Sequence, residues 1–328
     1  MRQPPRLIPL LTLLAVSSMC AANVAAEELT VERDGANVRV LVDGELYAAY
    51  ITDDGPKPYV WPLIGPTGVP MSRAYPMAEV EGEKQDHVHH RSLWFTHGDV
   101  DGVDYWSEGA TNTRMPHGKI VHREFERVES DGKVAEIVAI SDWIDADGER
   151  RLEDRRTLRF KAHGKRRLVD FDVVLTAIDE PVTFNDTKEG SFGVRVPTWM
   201  DVEGDKKKKT TNPGSLIVNS EGQTDVEAWG NPARWVDYQG VLNGERLGIA
   251  IMDHPSSFRH PTTWHVRTYG LFAANPFGLQ SFDPAAAESG KLVLKPGESL
   301  HLRYLVLFHT GDEKEGGVEE AFEWFGKQ

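Results

Sequence analysis

From Leu29 onward, short runs of alternating apolar residues recur at intervals of roughly ten residues, each cut off by Gly, Asp, Asn or Pro. That rhythm constrains the fold more than any other feature. Successive side chains of a strand point to opposite faces, so such alternation marks half-buried strands, whereas an amphipathic helix repeats with a period near 3.6. The clearest strands are Val38–Val42 before Asp43-Gly44, Ile137–Ile144 before Asp147-Gly148, and Leu168–Ala177. Asp-Gly pairs at such breaks signal hairpins. Gly164 separates the runs Arg155–Phe160 and Arg167–Val174, which reads as a meander of long strands with one polar face. Helical spacing is convincing only over Gly317–Phe325, where an acidic start carries Val318, Ala321, Phe322 and Trp324. The prediction is a mainly β protein: one large antiparallel β-sandwich over residues 27–328, ending in one short helix.

Arg2 and Arg6 precede an apolar run, Leu7–Val16, and small residues ending at Ala25 and Ala26. This is the pattern of a secretory signal peptide over residues 1–26, so a secreted or periplasmic location is expected. The apolar run of about ten residues falls well short of the roughly 20 that span a bilayer, and no later segment is longer, so no membrane span is expected. Cys20, the only cysteine, lies inside that signal. The mature chain therefore has no thiol for a disulfide, a thiolate ligand or a cysteine nucleophile. A formal charge of −14 repels polyphosphate, and the one basic run, Lys206–Lys209, is flanked by Asp201, Glu203 and Asp205. It reads as a solvated hairpin tip, and nucleic acid is not an expected partner.

Seven of the twelve histidines fall in two windows. The first holds His87, His89, His90 and His97, followed by Gly98-Asp99; the second holds His254, His260 and His265, followed by Val266-Arg267. On a strand His87 and His89 would share a face, while His90 and Arg91 turn elsewhere. Three roles fit these imidazoles: metal-free acid–base or binding work, a divalent metal site for which His87, His89 and His265 are the candidates, or ordinary structural hydrogen bonding. A cupin-type metal site lacks its glutamate at the expected interval.

Between the windows, Asp186 and Glu189 bracket a loop with Gly190, and Arg195 begins a strand. A carboxylate there could act as base while Arg195 or Arg267 holds an anionic or hydroxylated group. Trp94, Tyr105, Trp106, Trp235, Tyr238, Trp264, Tyr269 and Phe277 lie beside these polar residues. Aromatic faces stack on sugars while polar groups bond their hydroxyls, so the mixture fits carbohydrate. Asn275-Pro276-Phe277-Gly278 reads as a loop that closes over a ligand.

His87-x-His89-His90-Arg91-Ser92-Leu93-Trp94 with His97-Gly98-Asp99-Val100 and Asp104-Tyr105-Trp106, then Asp186-Thr187-Lys188-Glu189-Gly190, then Asp253-His254-Pro255 and Trp264-His265-Val266-Arg267, resemble one family. It is the secreted family of unknown function often labelled "methane oxygenase PmoA", of planctomycetes and Bacteroidetes. The label does not carry copper-dependent methane oxidation with it, because that enzyme's subunit spans the membrane many times. The family resembles companions of polysaccharide-degrading enzymes and sugar oxidoreductases. The closing Leu294-Lys295-Pro296-Gly297-Glu298 and the strand His301–Phe308 are similar to the last strands of galactose-mutarotase-like sandwiches, a fold that hosts several chemistries.

The resulting expectation is an exported carbohydrate-active enzyme, a hydrolase, lyase or dehydratase, or epimerase, working by histidine-assisted proton transfer on a sugar or other small polar substrate. His87, His89, His90, His97, His254, His265, Asp186 and Glu189 are the catalytic candidates. Arg91, Trp94, Arg195, His260, Trp264, Arg267 and Asn275 are the candidates for holding substrate. A non-catalytic sugar-binding sandwich and a metal-dependent hydrolase or oxidoreductase are the alternatives. All three rest on the two histidine windows meeting in space, and no oligomeric state is implied.

Overall fold

A computed structural model describes residues 27–111, 114–204 and 211–328. The expected signal peptide and the basic run Lys206–Lys209 lie outside the described residues. The chain forms β1 (Leu29–Asp34), β2 (Asn37–Val42), β3 (Glu45–Ile51), β4 (Tyr59–Leu63) and β5 (Leu93–His97). A long meander follows: β6 (Lys119–Ser130), β7 (Ala135–Ile144), β8 (Arg150–His163) and β9 (Arg166–Ala177). Shorter strands come next: β10 (Val182–Phe184), β11 (Gly190–Arg195), β12 (Leu216–Asn219), β13 (Trp235–Leu242), β14 (Glu245–Asp253), β15 (Trp264–Val266) and β16 (Leu271–Ala274). Helix α1 (Leu279–Phe282), β17 (Leu292–Leu294), β18 (Ser299–Thr310) and helix α2 (Val318–Phe325) complete it.

Two eight-stranded antiparallel sheets result, ordered β1-β2-β3-β4-β5-β11-β16-β15 and β12-β13-β14-β18-β9-β8-β7-β6. The turn signals act as expected. Asp43 and Gly44 both take left-handed conformations (φ +52° and +82°), the geometry of a two-residue hairpin between β2 and β3. Along β9, Val169, Phe171, Val173 and Leu175 are buried between the sheets, while Asp170 and Asp172 face the other way and bond Arg303 and His301 of β18. The sheets meet through rings: Phe95 and Phe192 of the first against Phe171 and Tyr304 of the second. Helix α2 covers part of the second sheet's outer face with Val318, Ala321, Phe322 and Phe325. The predicted mainly β, antiparallel sandwich with a short C-terminal helix is the observed fold.

The first histidine window departs from its expected strand. His87, His89 and His90 lie in a loop, where the His90 N–H donates to the His87 carbonyl at 3.0 Å and His87 has φ +47°. The cause is Arg73, whose buried guanidinium donates to the carbonyls of Tyr75, Lys84 and His87 at 3.1, 3.3 and 3.0 Å. A side chain thus takes the place of a neighbouring strand as partner for the loop's backbone. The segment 275–278 is likewise no lid: Phe277 is buried against Phe184 and His97, and its N–H is held by Asn275 Oδ1 at 3.0 Å.

Candidate functional site

Strands β5, β11, β16 and β15 are neighbours, and their register sets Trp94, Gly193, Ala273 and His265 in one row across the sheet. Alternation assigns faces. Leu93, Phe95, Phe192, Phe272 and Trp264 enter the core between the sheets, while Trp94, Ala273, Leu271, Tyr59 and Trp106 form a separate cluster. The site is built on that second, outward face. Gly193 is bare for a reason: a Cβ there would lie 2.8 Å from Trp94 Cζ2, so its absence lets the indole lie across the strand.

On this platform stands a column of parallel rings. His90 stacks on Trp94 (centroids 5.3 Å apart), His87 on His90 (4.8 Å) and Tyr269 on His87 (5.3 Å). His89 meets His90 edge-on at 4.5 Å. Beside the column the Asp86 carboxylate is the shared partner of Arg195 Nη2 at 2.8 Å, Arg73 Nη1, and His87 Nδ1 at 3.0 Å. Burial alone would raise the Asp86 carboxyl, but His87 and the guanidinium groups of Arg195 and Arg73 hold it well below the usual carboxylate range.

His87, His89 and His90 share with Glu189, His265 and Arg267 the walls of a cavity of about 340 Å³, to which Trp106, Lys188 and Tyr269 also belong. His87, Arg267 and Tyr269 also line a second cavity of about 760 Å³, so the two form one cleft. His87, His89 and His90 of the first window therefore meet His265 of the second.

Hydrogen bonding fixes the imidazoles. His265 Nδ1 lies 2.7 Å from the Lys188 carbonyl, which can only accept, so Nδ1 carries the proton and Nε2 a lone pair. His90 Nδ1 lies 3.1 Å from Arg195 Nη1, which can only donate, so the neutral His90 carries its proton on Nε2. Burial pushes His89 and His265 down to about 3 and His90 well below the ordinary histidine range. Glu189 moves the opposite way: burial raises it, against the opposing pull of Lys188 at 3.6 Å. His89 Nδ1 and Trp106 Nε1 are buried without a protein partner among the described residues, where such groups are nearly always paired.

The remaining candidates do not line the cleft. His97 shares the inward face of Leu93 and Phe95, with Nε2 on the Asn185 carbonyl at 2.9 Å. Asp186 accepts the N–H groups of Gln280, Ser281 and Gly290. His254 packs on Phe325, and His260 bonds Asp253 at 2.8 Å and stacks on Phe322, both beside α2. Trp264 is in the core, its Nε1 on the Ala233 carbonyl, and Asn275 Nδ2 holds the Thr187 carbonyl. Arg91 is tied to Glu108 and Asp54, while Trp94 underlies the His90 ring and Arg195 bonds that ring's edge. Among the described residues no set of three His, Cys, Asp or Glu side chains is arranged to hold a metal, so His87, His89 and His265 do not form one. Asp86, Arg73 and Lys188 were not singled out from the sequence; a lone Asp beside a histidine carries no local signal of being a hub.

The architecture and this cleft define a β-sandwich protein with a histidine-lined site on the outer face of one sheet. Residues 37–323 match DUF6807, a family of unknown function, and the chain belongs to that family. No curated protein sequence matches it. Among solved structures the chain is similar to the GH36 α-galactosidase AgaB of Geobacillus stearothermophilus, with 11% identity, a TM-score of 0.41, and coverage of 87% of this chain and 41% of that one. It is similar to a galactose mutarotase related enzyme of Lactobacillus acidophilus at 10% identity and TM-score 0.38, covering 86% and 97%. A polysaccharide lyase matches at 13% identity and TM-score 0.33, covering 88% and 33%. The chain thus spans less than half the length of the galactosidase and about a third of the lyase. Among the described residues no helix is long and apolar enough to cross a membrane.

Proposed function

We propose that this chain is an exported carbohydrate-active enzyme that binds a sugar in the histidine cleft and transfers a proton through Glu189. The carrying observation is the convergence of His87, His89, His90 and His265 with Glu189 in one cavity. Proton transfer is most efficient for a group whose pKa lies near the working pH. Glu189 is shifted toward that range and His89, His90 and His265 away from it. The carboxyl therefore serves as acid or base, and the imidazoles serve as uncharged partners of fixed polarity. His265 Nε2 accepts from a hydroxyl and His90 Nε2–H donates to one. Trp106 and Tyr269 supply apolar wall for the C–H faces of a sugar ring.

The test is a product screen of the protein against oligosaccharides, uronides and 3-keto sugars, beside Glu189→Gln and His265→Ala and with and without a chelator. The expected result is turnover that survives the chelator, is abolished in E189Q with binding kept, and is weakened in H265A. Binding without turnover in the unaltered protein would instead assign a sugar-binding module. Absence of both would remove the proposal.

A further inference from the structure

Four guanidinium groups surround the cleft, and their partners differ. Arg73 and Arg195 share the Asp86 carboxylate, and Arg91 is bound by Glu108 at 3.0 Å and Asp54 at 3.0 Å. Arg267 has no carboxylate among the described residues. Its guanidinium carbon lies 5.6 Å from the ring centres of both Trp229 and Tyr269. The backbone beneath it is pinned, with its N–H on the Leu271 carbonyl at 2.7 Å and its own carbonyl accepting from Gly270 at 2.9 Å. Aromatic faces hold an arginine in place without consuming its N–H donors, so the fork remains available in the plane of the guanidinium.

Arg267 also stands at the junction of the two cavities, half-buried, two residues beyond His265 on the same side of the chain. The other cation of the inner cavity, Lys188, is offset by Glu189 at 3.6 Å. Glu83, Asp86 and Glu203 also line the outer cavity, but no salt bridge ties any of them to Arg267, which is thus a planar, preorganised cation with its fork uncommitted to a carboxylate of the described residues. A guanidinium fork matches a carboxylate with two parallel hydrogen bonds.

We infer that the sugar taken by this cleft is acidic: a uronic acid unit, or another sugar bearing a carboxylate, whose carboxylate is bound by Arg267. This rests on the sugar-cleft reading above and adds the substrate class and a specificity-determining residue. The carboxylate would sit at the edge of the guanidinium, in its plane, with the sugar ring reaching toward His265 Nε2 and Glu189.

The experiment pairs uronides of gluco, galacto and manno configuration, as disaccharides, with the neutral disaccharides of the same configuration. Binding to each is measured by calorimetry, with the unaltered protein and with Arg267→Met and Arg267→Lys. One uronide is expected to bind roughly ten- to hundredfold more tightly than its neutral counterpart, the range for charge-assisted hydrogen bonds. R267M removes that preference by bringing uronide binding down to the level of the neutral partner, and R267K restores part of it. Neutral sugar binding in R267M also shows that the variant is folded. Equal binding of uronide and neutral partner would overturn the inference and leave the cleft a sugar site. A preference that persists in R267M would overturn the assignment to Arg267. Failure of every sugar to bind would overturn the sugar reading and this inference together.

Discussion

Arg195 reaches His90 ring nitrogen with Nη1 at 3.1 Å and the Asp86 carboxylate with Nη2 at 2.8 Å, so one guanidinium both anchors the loop and orients its imidazole. Because an arginine never accepts, the contact forces the neutral His90 to carry its proton on Nε2. Nitrogen NMR of the unaltered protein is expected to show His90 with a protonated Nε2 and a bare Nδ1. Arg195→Met removes hydrogen bonds of about 1.5–3 kcal/mol each and frees the ring to exchange tautomers. A protonated Nδ1 in the unaltered protein would sink this account of the site.

Acid should weaken the fold well above the pH at which carboxylates titrate. His89 and His265 are pushed to about 3 and His97 to about 4, in each case first by burial. Between pH 6.5 and roughly 4 the unfolded chain takes up protons at these positions and the folded chain refuses them. Stability therefore falls as pH falls, by up to about 1.4 kcal/mol per pH unit for each histidine. His301 and His309, raised by Asp172 and by Asp237 against burial, act in the opposite sense but are fewer. Denaturant midpoints measured from pH 8 to 4 are expected to drop, with His265→Gln showing a shallower slope. A flat profile would show that these rings take up protons in the native state as readily as in the unfolded chain.

The strands were legible because a half-buried strand must alternate, as β9 does with Val169, Phe171, Val173 and Leu175 on one side and Asp170 and Asp172 on the other. The same rule applied to β5 puts Leu93, Phe95 and His97 on one face, which sends Trp94 outward and His97 inward, away from the site for which His97 was a candidate. The His87–His90 loop was not, since its short alternation mimics a strand and its backbone partner is the distant Arg73 side chain. Nor was the meeting of the two windows, which depends on β11 lying between β5 and β16, a pairing with no trace in local sequence. His254 and His260 shared a window with His265 but follow β14 of the other sheet, so proximity in the chain misled.

Asp86→Asn tests whether that carboxylate is the hub of the loop. Arg73 and Arg195 are fully buried, and the substitution leaves both without their anionic partner while Asp86 itself is partly exposed. Removing one member of a buried ion pair costs about 3–5 kcal/mol. The lower end is expected, seen as a reduced denaturant midpoint with unchanged slope, together with loss of sugar binding as the ring column loosens. Unaltered stability would mean that the two arginines find other acceptors.

Asp186→Asn separates the two carboxylates that bracket one loop. Asp186 is held low despite its partial burial because the N–H groups of Gln280, Gly290 and Ser281 point at it. It accepts those three at 2.8, 2.6 and 2.9 Å, fixing the start of α1 and the approach to β17. An amide presents one acceptor oxygen where the carboxylate presents two, so the variant loses part of this cap. The expected cost is about 1–2 kcal/mol, reduced from the charged hydrogen-bond range because the group is partly exposed. Sugar binding in the cleft should survive, since Asp186 lines neither cavity, whereas Glu189→Gln should leave stability intact and abolish turnover. If D186N lost turnover with its stability unchanged, the chemistry would belong to Asp186 and the assignment to Glu189 would fall.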